Sequence, residues 1–165
     1  MKLYLAQVNV ARMVAPLEDP AMAEFVSRLD EINALADRSP GFVWRLQTEA
    51  GNATYLRPYA DDRVLFNMSV WESLESLKRY VYISAHVQVL RRRGDWFEKP
   101  AASPLALWWI PAGHIPGVDE GKKRLAHLHA HGPSAFAFTF GQPFPPDETV
   151  ARTTDWSSFE PCPAT

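Results

Sequence analysis

The chain has 165 residues, a mass of 18.6 kDa and a pI near 6.2, with 47% hydrophobic, 12% aromatic and 22% charged residues. That length suits one domain with a core of its own, and the lone Cys162 excludes an internal disulfide. A formal charge of −2 gives no general attraction to nucleic acid or anionic lipid, and no apolar run approaches the roughly 20 residues of a membrane span, so neither nucleic-acid partners nor membrane insertion is expected.

The opening MKLYLAQVNVAR lacks the apolar stretch and cleavage site of an export signal, which predicts a cytoplasmic protein. Lys2 to Val10 reads as a strand. Asp19-Pro20 has the chemistry of a helix start, and Met22, Phe25, Val26, Leu29, Ile32 and Ala36 recur at helical spacing until Ser39-Pro40-Gly41. Phe42 to Thr48 alternates, with Phe42, Trp44 and Leu46 expected on one side and Val43, Arg45 and Gln47 on the other. A polar connection follows, with room for a short strand at Thr54 to Arg57. Val64 to Trp71 is a further strand that sorts Phe66, Met68 and Val70 from Asn67, Ser69 and Trp71.

A second helix is expected from about Ser73 through Leu74, Leu77, Val81, Ala85 and Val89, with Arg91, Arg92 and Arg93 at its carbonyl end. Leu105 to Ile110 is a compact apolar strand, Asp119 to His131 a third helix, and Ala135 to Phe140 a last strand with Phe136, Phe138 and Phe140 on one face. The five prolines after Gly141 predict an irregular tail, so the chain divides into a domain over 1–141 and a Pro-rich tail over 142–165.

The first six elements follow the split strand–helix–strand order of a ferredoxin-like α+β fold, with helices on one face of an antiparallel sheet and a C-terminal helix and strand added. Large apolar residues on both sides of several strands (Phe42 and Val43, Leu107 and Trp108) predict burial of both sheet faces, for which a sheet-to-sheet homodimer is the simplest arrangement.

The run Phe66-Asn67-Met68-Ser69-Val70-Trp71-Glu72-Ser73, followed by Ser84-Ala85-His86, resembles the dimeric α/β-barrel superfamily, which includes antibiotic-biosynthesis and haem-degrading monooxygenases. Over residues 1–145 the chain is similar to a bacterial family known only as a domain of unknown function, a distant relative of spheroidene monooxygenase. That resemblance rests on Ala6-Gln7-Val8-Asn9, Ser39-Pro40-Gly41-Phe42-Val43-Trp44-Arg45, Trp108-Trp109-Ile110-Pro111-Ala112-Gly113-His114 and Phe140-Gly141-Gln142-Pro143-Phe144. It implies monooxygenase-like chemistry on a hydrophobic aromatic or polyene molecule, with haem or no cofactor. The places of the haem-degrading site fall on Asn9, Tyr80 and His86, although those enzymes carry Trp where Tyr80 stands and a longer interval before the histidine.

His86 is thus the candidate haem ligand or general base. Asn9 and Arg45 join it as candidate catalytic groups, while Trp44, Asn67, Trp71, Tyr80, Tyr82 and Trp108 are candidate substrate contacts. Polar residues planted mid-strand among aromatics need partners, and a ligand can serve. Two other readings stay open: a non-catalytic domain that binds a small molecule or haem, and a cofactor-free isomerase or lyase using His86 as base. His127 and His131 share a helix face and His114 could join them, but no carboxylate lies between the pair, and solvated histidines at a helix end are favoured over a metal site. No phosphate-binding glycine loop or nucleophile-elbow sequence is present.

Overall fold

The computed structural model describes residues 1–49, 51–54, 56–83 and 86–159, except the side chain of His86. Its elements are β1 (Leu3–Arg12), α1 (Ala23–Asp37), β2 (Phe42–Arg45), β3 (Val64–Trp71), α2 (Leu74–Ile83), α3 (His86–Arg91), α4 (Arg93–Trp96), β4 (Leu105–Pro111), α5 (Val118–His131) and α6 (Glu148–Thr153). The strands form one antiparallel sheet in the order β2-β3-β1-β4, the ferredoxin-like arrangement. None of the described helices is long and apolar enough to cross a membrane.

Strand alternation divides the sheet into two faces. Leu5, Gln7 and Asn9 of β1 share one face with Trp71, Ser69 and Asn67 of β3 and with Trp109, Leu107 and Leu105 of β4. Ala36 of α1 and Leu77 of α2 pack on this face with Leu5, Trp71 and Leu107. The opposite face presents Ala6, Val8, Phe66, Met68, Val70, Ala106, Trp108 and Ile110, and Leu125 and Leu128 of α5 close over it. Helix α5 of the same chain thus covers much of this face.

The two helical layers differ in how closely they sit. Gly121 lets α5 approach the sheet, since a Cβ there would fall 2.5 Å from Met68 Sδ and 3.1 Å from Phe66 Cζ. Helix α5 buries Glu120, Gly121, Arg124, Leu125 and Leu128, whereas the 15-residue α1 buries only Ala36 and α2 only Leu77. Gly41, at φ +82°, turns the chain from α1 into β2, and a Cβ there would collide with Ser76 Oγ.

Several sequence expectations are corrected. The Asp19-Pro20 start forms as expected, with Asp19 Oδ1 accepting the Ala21 N–H at 2.8 Å, but as a 3-10 turn over Pro20–Met22 before the α-helix proper. Strand β2 is shorter than expected, and an irregularity between Phe42 and Trp44 puts these two rings on opposite faces. No strand forms at the described residues of 54–57. The second helix is described as α2 and α3 on either side of Ser84 and Ala85, which lie outside the described residues, and a turn at Arg92 sets off α4.

Residues 135–140 form no strand. Phe138 makes one antiparallel bridge to Leu107, with both N–H···O distances 2.8 Å, and the segment wraps the free edge of β4 so that Phe136 and Phe138 reach different core clusters. The tail is not wholly irregular either. Asp147 Oδ1 accepts the N–H groups of Thr149 and Val150 and starts α6, which folds back against the domain and buries Ala151.

Candidate functional site

On the α1–α2 face the sheet is covered unevenly. Leu5, Trp71 and Leu107 are sealed at one end, and at the other Met13, Leu17, Met22 and Trp96 form a separate core with Leu65 and Val89 packed against it. Between these clusters Asn9 is half-buried and Asn67 is exposed, although both stand on the two inner strands of the sheet. An exposed residue in that position marks a gap in the helical cover. Asn9 and Asn67 are direct cross-strand partners, which places their Cβ atoms about 5 Å apart.

A hydrogen-bonded row runs from the gap into the sealed end. Asn9 Nδ2–H donates to Gln7 Oε1 at 3.4 Å, and Gln7 Nε2–H donates to Ser69 Oγ at 2.9 Å. The Trp71 Nε1–H also donates to Ser69 Oγ, at 2.8 Å. A serine hydroxyl has two acceptor lone pairs and one proton. With both lone pairs engaged, Ser69 is fixed as a donor toward a third group. Asn67 has no side-chain hydrogen-bond partner among the described residues.

Trp71 forms the apolar wall at the sealed end. Its ring stacks on Tyr80 at 5.1 Å and meets Phe42 edge-on at 5.5 Å. Burial holds the Tyr80 phenol above its ordinary range, Arg45 opposing and Asp37 adding to the shift, so the group stays protonated and its O–H donates to the Ile32 carbonyl at 3.4 Å. Arg45 grips Asp37 through Nε (2.7 Å) and Nη2 (3.2 Å) and donates through Nη1 to the Gly51 carbonyl (2.7 Å). This guanidinium ties the end of α1 to β2 and the following loop.

The structure therefore gathers Asn9, Asn67, Trp71 and Tyr80 on one face and separates the other tryptophans from them. Trp44 and Trp108 lie on the α5 face, with Trp108 Nε1–H donating to Glu120 Oε1 at 2.7 Å. The expected hollow walled by Trp44, Trp71 and Trp108 does not form, because strand alternation puts Trp109 and not Trp108 on the face of Trp71. Tyr82 is exposed at the end of α2, its ring edge-on to Phe140 at 5.6 Å. The backbone of His86 begins α3, and its side chain lies outside the described residues. Gln7 and Ser69 were missed as site residues. Their signal was present, since Gln7 is two residues from Asn9, and Ser69 two from Asn67, on alternating strands.

A groove of about 770 Å³ lies elsewhere, on the α5 side, lined among others by Val10, Tyr59, Asp61, Val64, Lys122 and His129. Three of its charged or polar groups are already engaged. Asp61 pairs with Arg12, Lys122 Nζ donates to the Pro58 carbonyl at 2.8 Å, and His129 Nε2 bonds the Ser103 carbonyl at 2.7 Å. None of the residues singled out in the sequence as site residues lines it. No group of three or more metal-ligating side chains occurs among the described residues.

The described residues of the gap include no evident haem ligand, and the side chain of His86, the candidate ligand, lies outside the described residues. The polar row is built of neutral amides and hydroxyls, the Tyr80 phenol is held protonated by burial, and the cationic Arg45 is bound by Asp37.

The family model for a Domain of unknown function (DUF3291) matches residues 4–154. No curated protein matches the chain. Among solved structures the chain is similar to SnoaB, a cofactor-independent oxygenase from Streptomyces nogalater, at 18% identity and a TM-score of 0.45, covering 68% of this chain and 95% of that one. It is also similar to the NE2512 protein of unknown function from Nitrosomonas europaea, at 10% identity and a TM-score of 0.45, covering 70% and 97%. A third likeness is to the heme-degrading protein Rv3592 from Mycobacterium tuberculosis, at 20% identity and a TM-score of 0.37, covering 69% and 99%.

Proposed function

The chain belongs to the family Domain of unknown function (DUF3291), and from that premise we propose that it binds a hydrophobic aromatic or polyene small molecule over the Asn9–Asn67 pair and acts on it as a monooxygenase-type oxidoreductase without a haem. The observation that carries this reading is the pair of facing amides in the gap between two apolar clusters. Amides supply donors and acceptors at fixed places, and the apolar flanks accept a flat ring system.

The polar groups suit a neutral ligand bearing carbonyl or hydroxyl oxygens. The Asn67 and Asn9 amides would offer either polarity, while the buried Ser69 and Trp71 form the sealed end beside them. A substrate that loses two hydrogens as it gains one oxygen atom consumes one dioxygen and releases one water, so no external reductant is needed. The chain's part in such a step is to orient the substrate and keep bulk water from its ring.

A second reading, binding without turnover, is favoured by the neutral character of the described polar row. An isomerase or lyase reading would rest on the His86 side chain and draws no support from the described residues.

The test is incubation of the purified protein with hydroxylated naphthalenes and retinol under labelled dioxygen, followed by mass spectrometry. The proposal expects incorporation of one labelled atom, lost in Asn67→Ala. Saturable binding with no incorporation returns the binding-domain reading, and no binding of either probe class removes both.

A further inference from the structure

Glu120 and Arg124 occupy successive turns of α5 and are almost fully enclosed, at 0% and 1% exposure. Glu120 divides its carboxylate between Trp108 Nε1–H and His114 Nε2, each at 2.7 Å. Arg124 Nη1 donates to the Phe136 carbonyl at 2.9 Å, but Nε and Nη2 have no hydrogen-bond partner, and Nη2 lies 3.8 Å from Glu120 Oε1. Those two nitrogens share one edge of the guanidinium. It is the edge with which Arg45 holds Asp37 elsewhere in this structure. Arg124 therefore carries an unused two-pronged donor edge in the interior, where unmade hydrogen bonds are costly.

The surroundings of that edge are aromatic. The guanidinium carbon lies 3.8 Å from the ring centre of Phe136, 5.2 Å from that of Trp156 and 5.9 Å from that of Phe159. The last two rings belong to the C-terminal segment, which lies over α5 with Lys123 Nζ 4.8 Å from the ring centre of Phe159 and the His114 ring 4.5 Å from that of Trp156. Burial pushes Arg124 down to about 10, with Glu120 opposing, so it stays charged at neutral pH.

We propose that the Nε/Nη2 edge of Arg124 anchors a second small-molecule site, covered by residues 148–159, for a neutral aromatic carbonyl compound. The free donors require an acceptor oxygen. The charge of Glu120 already opposes that of Arg124, so a ligand carboxylate would meet repulsion where a neutral carbonyl does not. Phe136 and Phe159 supply flat apolar surfaces for the ring, and Trp156 is the cover that occupies the space beside the guanidinium. Entry requires the segment bearing Trp156 and Phe159 to lift. The site is on the α5 face and does not depend on the reading of the Asn9–Asn67 cleft.

The experiment titrates the full chain with acetophenone, benzoate and ethylbenzene, following the Arg124 Nε–H resonance by NMR. The proposal expects a saturable shift with acetophenone, with the other two at least about tenfold weaker, because a site built to donate hydrogen bonds rejects analogues that cannot use them. Trp156→Ala opens space under the segment and should tighten acetophenone binding, while Arg124→Lys, which keeps charge and loses the paired edge, should abolish it. Equal binding of ethylbenzene, tighter binding of benzoate, or no response in both the wild type and Trp156→Ala overturns the proposal. Should Arg124→Lys fail to fold, the acetophenone-to-ethylbenzene ratio in the wild type and Trp156→Ala decides alone.

Discussion

Asn9 and Asn67 face each other across β1 and β3, on the stretch of sheet that α1 and α2 leave uncovered. Because the Asn67 side chain is exposed and makes no hydrogen bond among the described residues, Asn67→Ala should change stability by less than about 0.5 kcal/mol. The same change should weaken binding of a hydroxylated naphthalene about fivefold to tenfold, the loss of one hydrogen bond. Calorimetric titration and chemical denaturation measure the two effects separately. A large stability loss with unchanged affinity would make Asn67 structural.

Ser69 Oγ is the shared acceptor for Gln7 and Trp71, both of them buried donors. Ser69→Ala leaves both unpaired and should cost about 2–4 kcal/mol, read as a lower denaturation midpoint with an unchanged slope. A cost within a few tenths of a kcal/mol would show that the row is not formed in solution.

The close seat of α5 depends on the missing side chain at position 121. Alanine is the better helix former, by about 1 kcal/mol, but the added methyl would overlap Met68 and Phe66 in the core. Gly121→Ala should therefore destabilise by about 1–3 kcal/mol, and Met68→Ala in the same chain should recover part of that loss. A stabilised Gly121→Ala protein would contradict this packing.

Burial raises the folded-state pKa of Tyr80 above its ordinary value of 10. At pH above 10 the unfolded chain releases this proton before the folded one does, so the folded state binds more protons and stability falls as pH rises. The Tyr80 contribution is fully present below pH 10 and is lost from there up toward the folded-state pKa. Tyr80→Phe should flatten this alkaline loss in thermal melts between neutral pH and the alkaline limit. An identical slope in both proteins would place the phenol in water.

Much of the architecture was legible because alternation in β3 is unambiguous, with Phe66, Met68 and Val70 opposed to Asn67, Ser69 and Trp71. What was not legible depends on contacts distant in sequence. The irregularity between Phe42 and Trp44 breaks a pattern that reads as strict alternation, and the register of β4 against β1 selects Trp109 over Trp108. Proline content masked α6, whose start is set by the single side chain of Asp147. The Glu120–Arg124 pair draws no notice in the sequence, and its burial depends on α5 lying on the sheet face.

Haemin offers a direct check on the haem-free reading. The proposed haem-free chemistry expects added haemin to give the same absorption spectrum with the wild type and His86→Ala. A Soret shift that His86→Ala abolishes would restore histidine ligation of iron.

The central claim is tested most directly by following the side-chain amide resonances of Asn9 and Asn67 while 2-naphthol is added to the labelled protein. The account predicts that both amides move together and saturate at one concentration, ahead of any shift on α5. Shifts confined to the α5 face, or none at either amide, would contradict it.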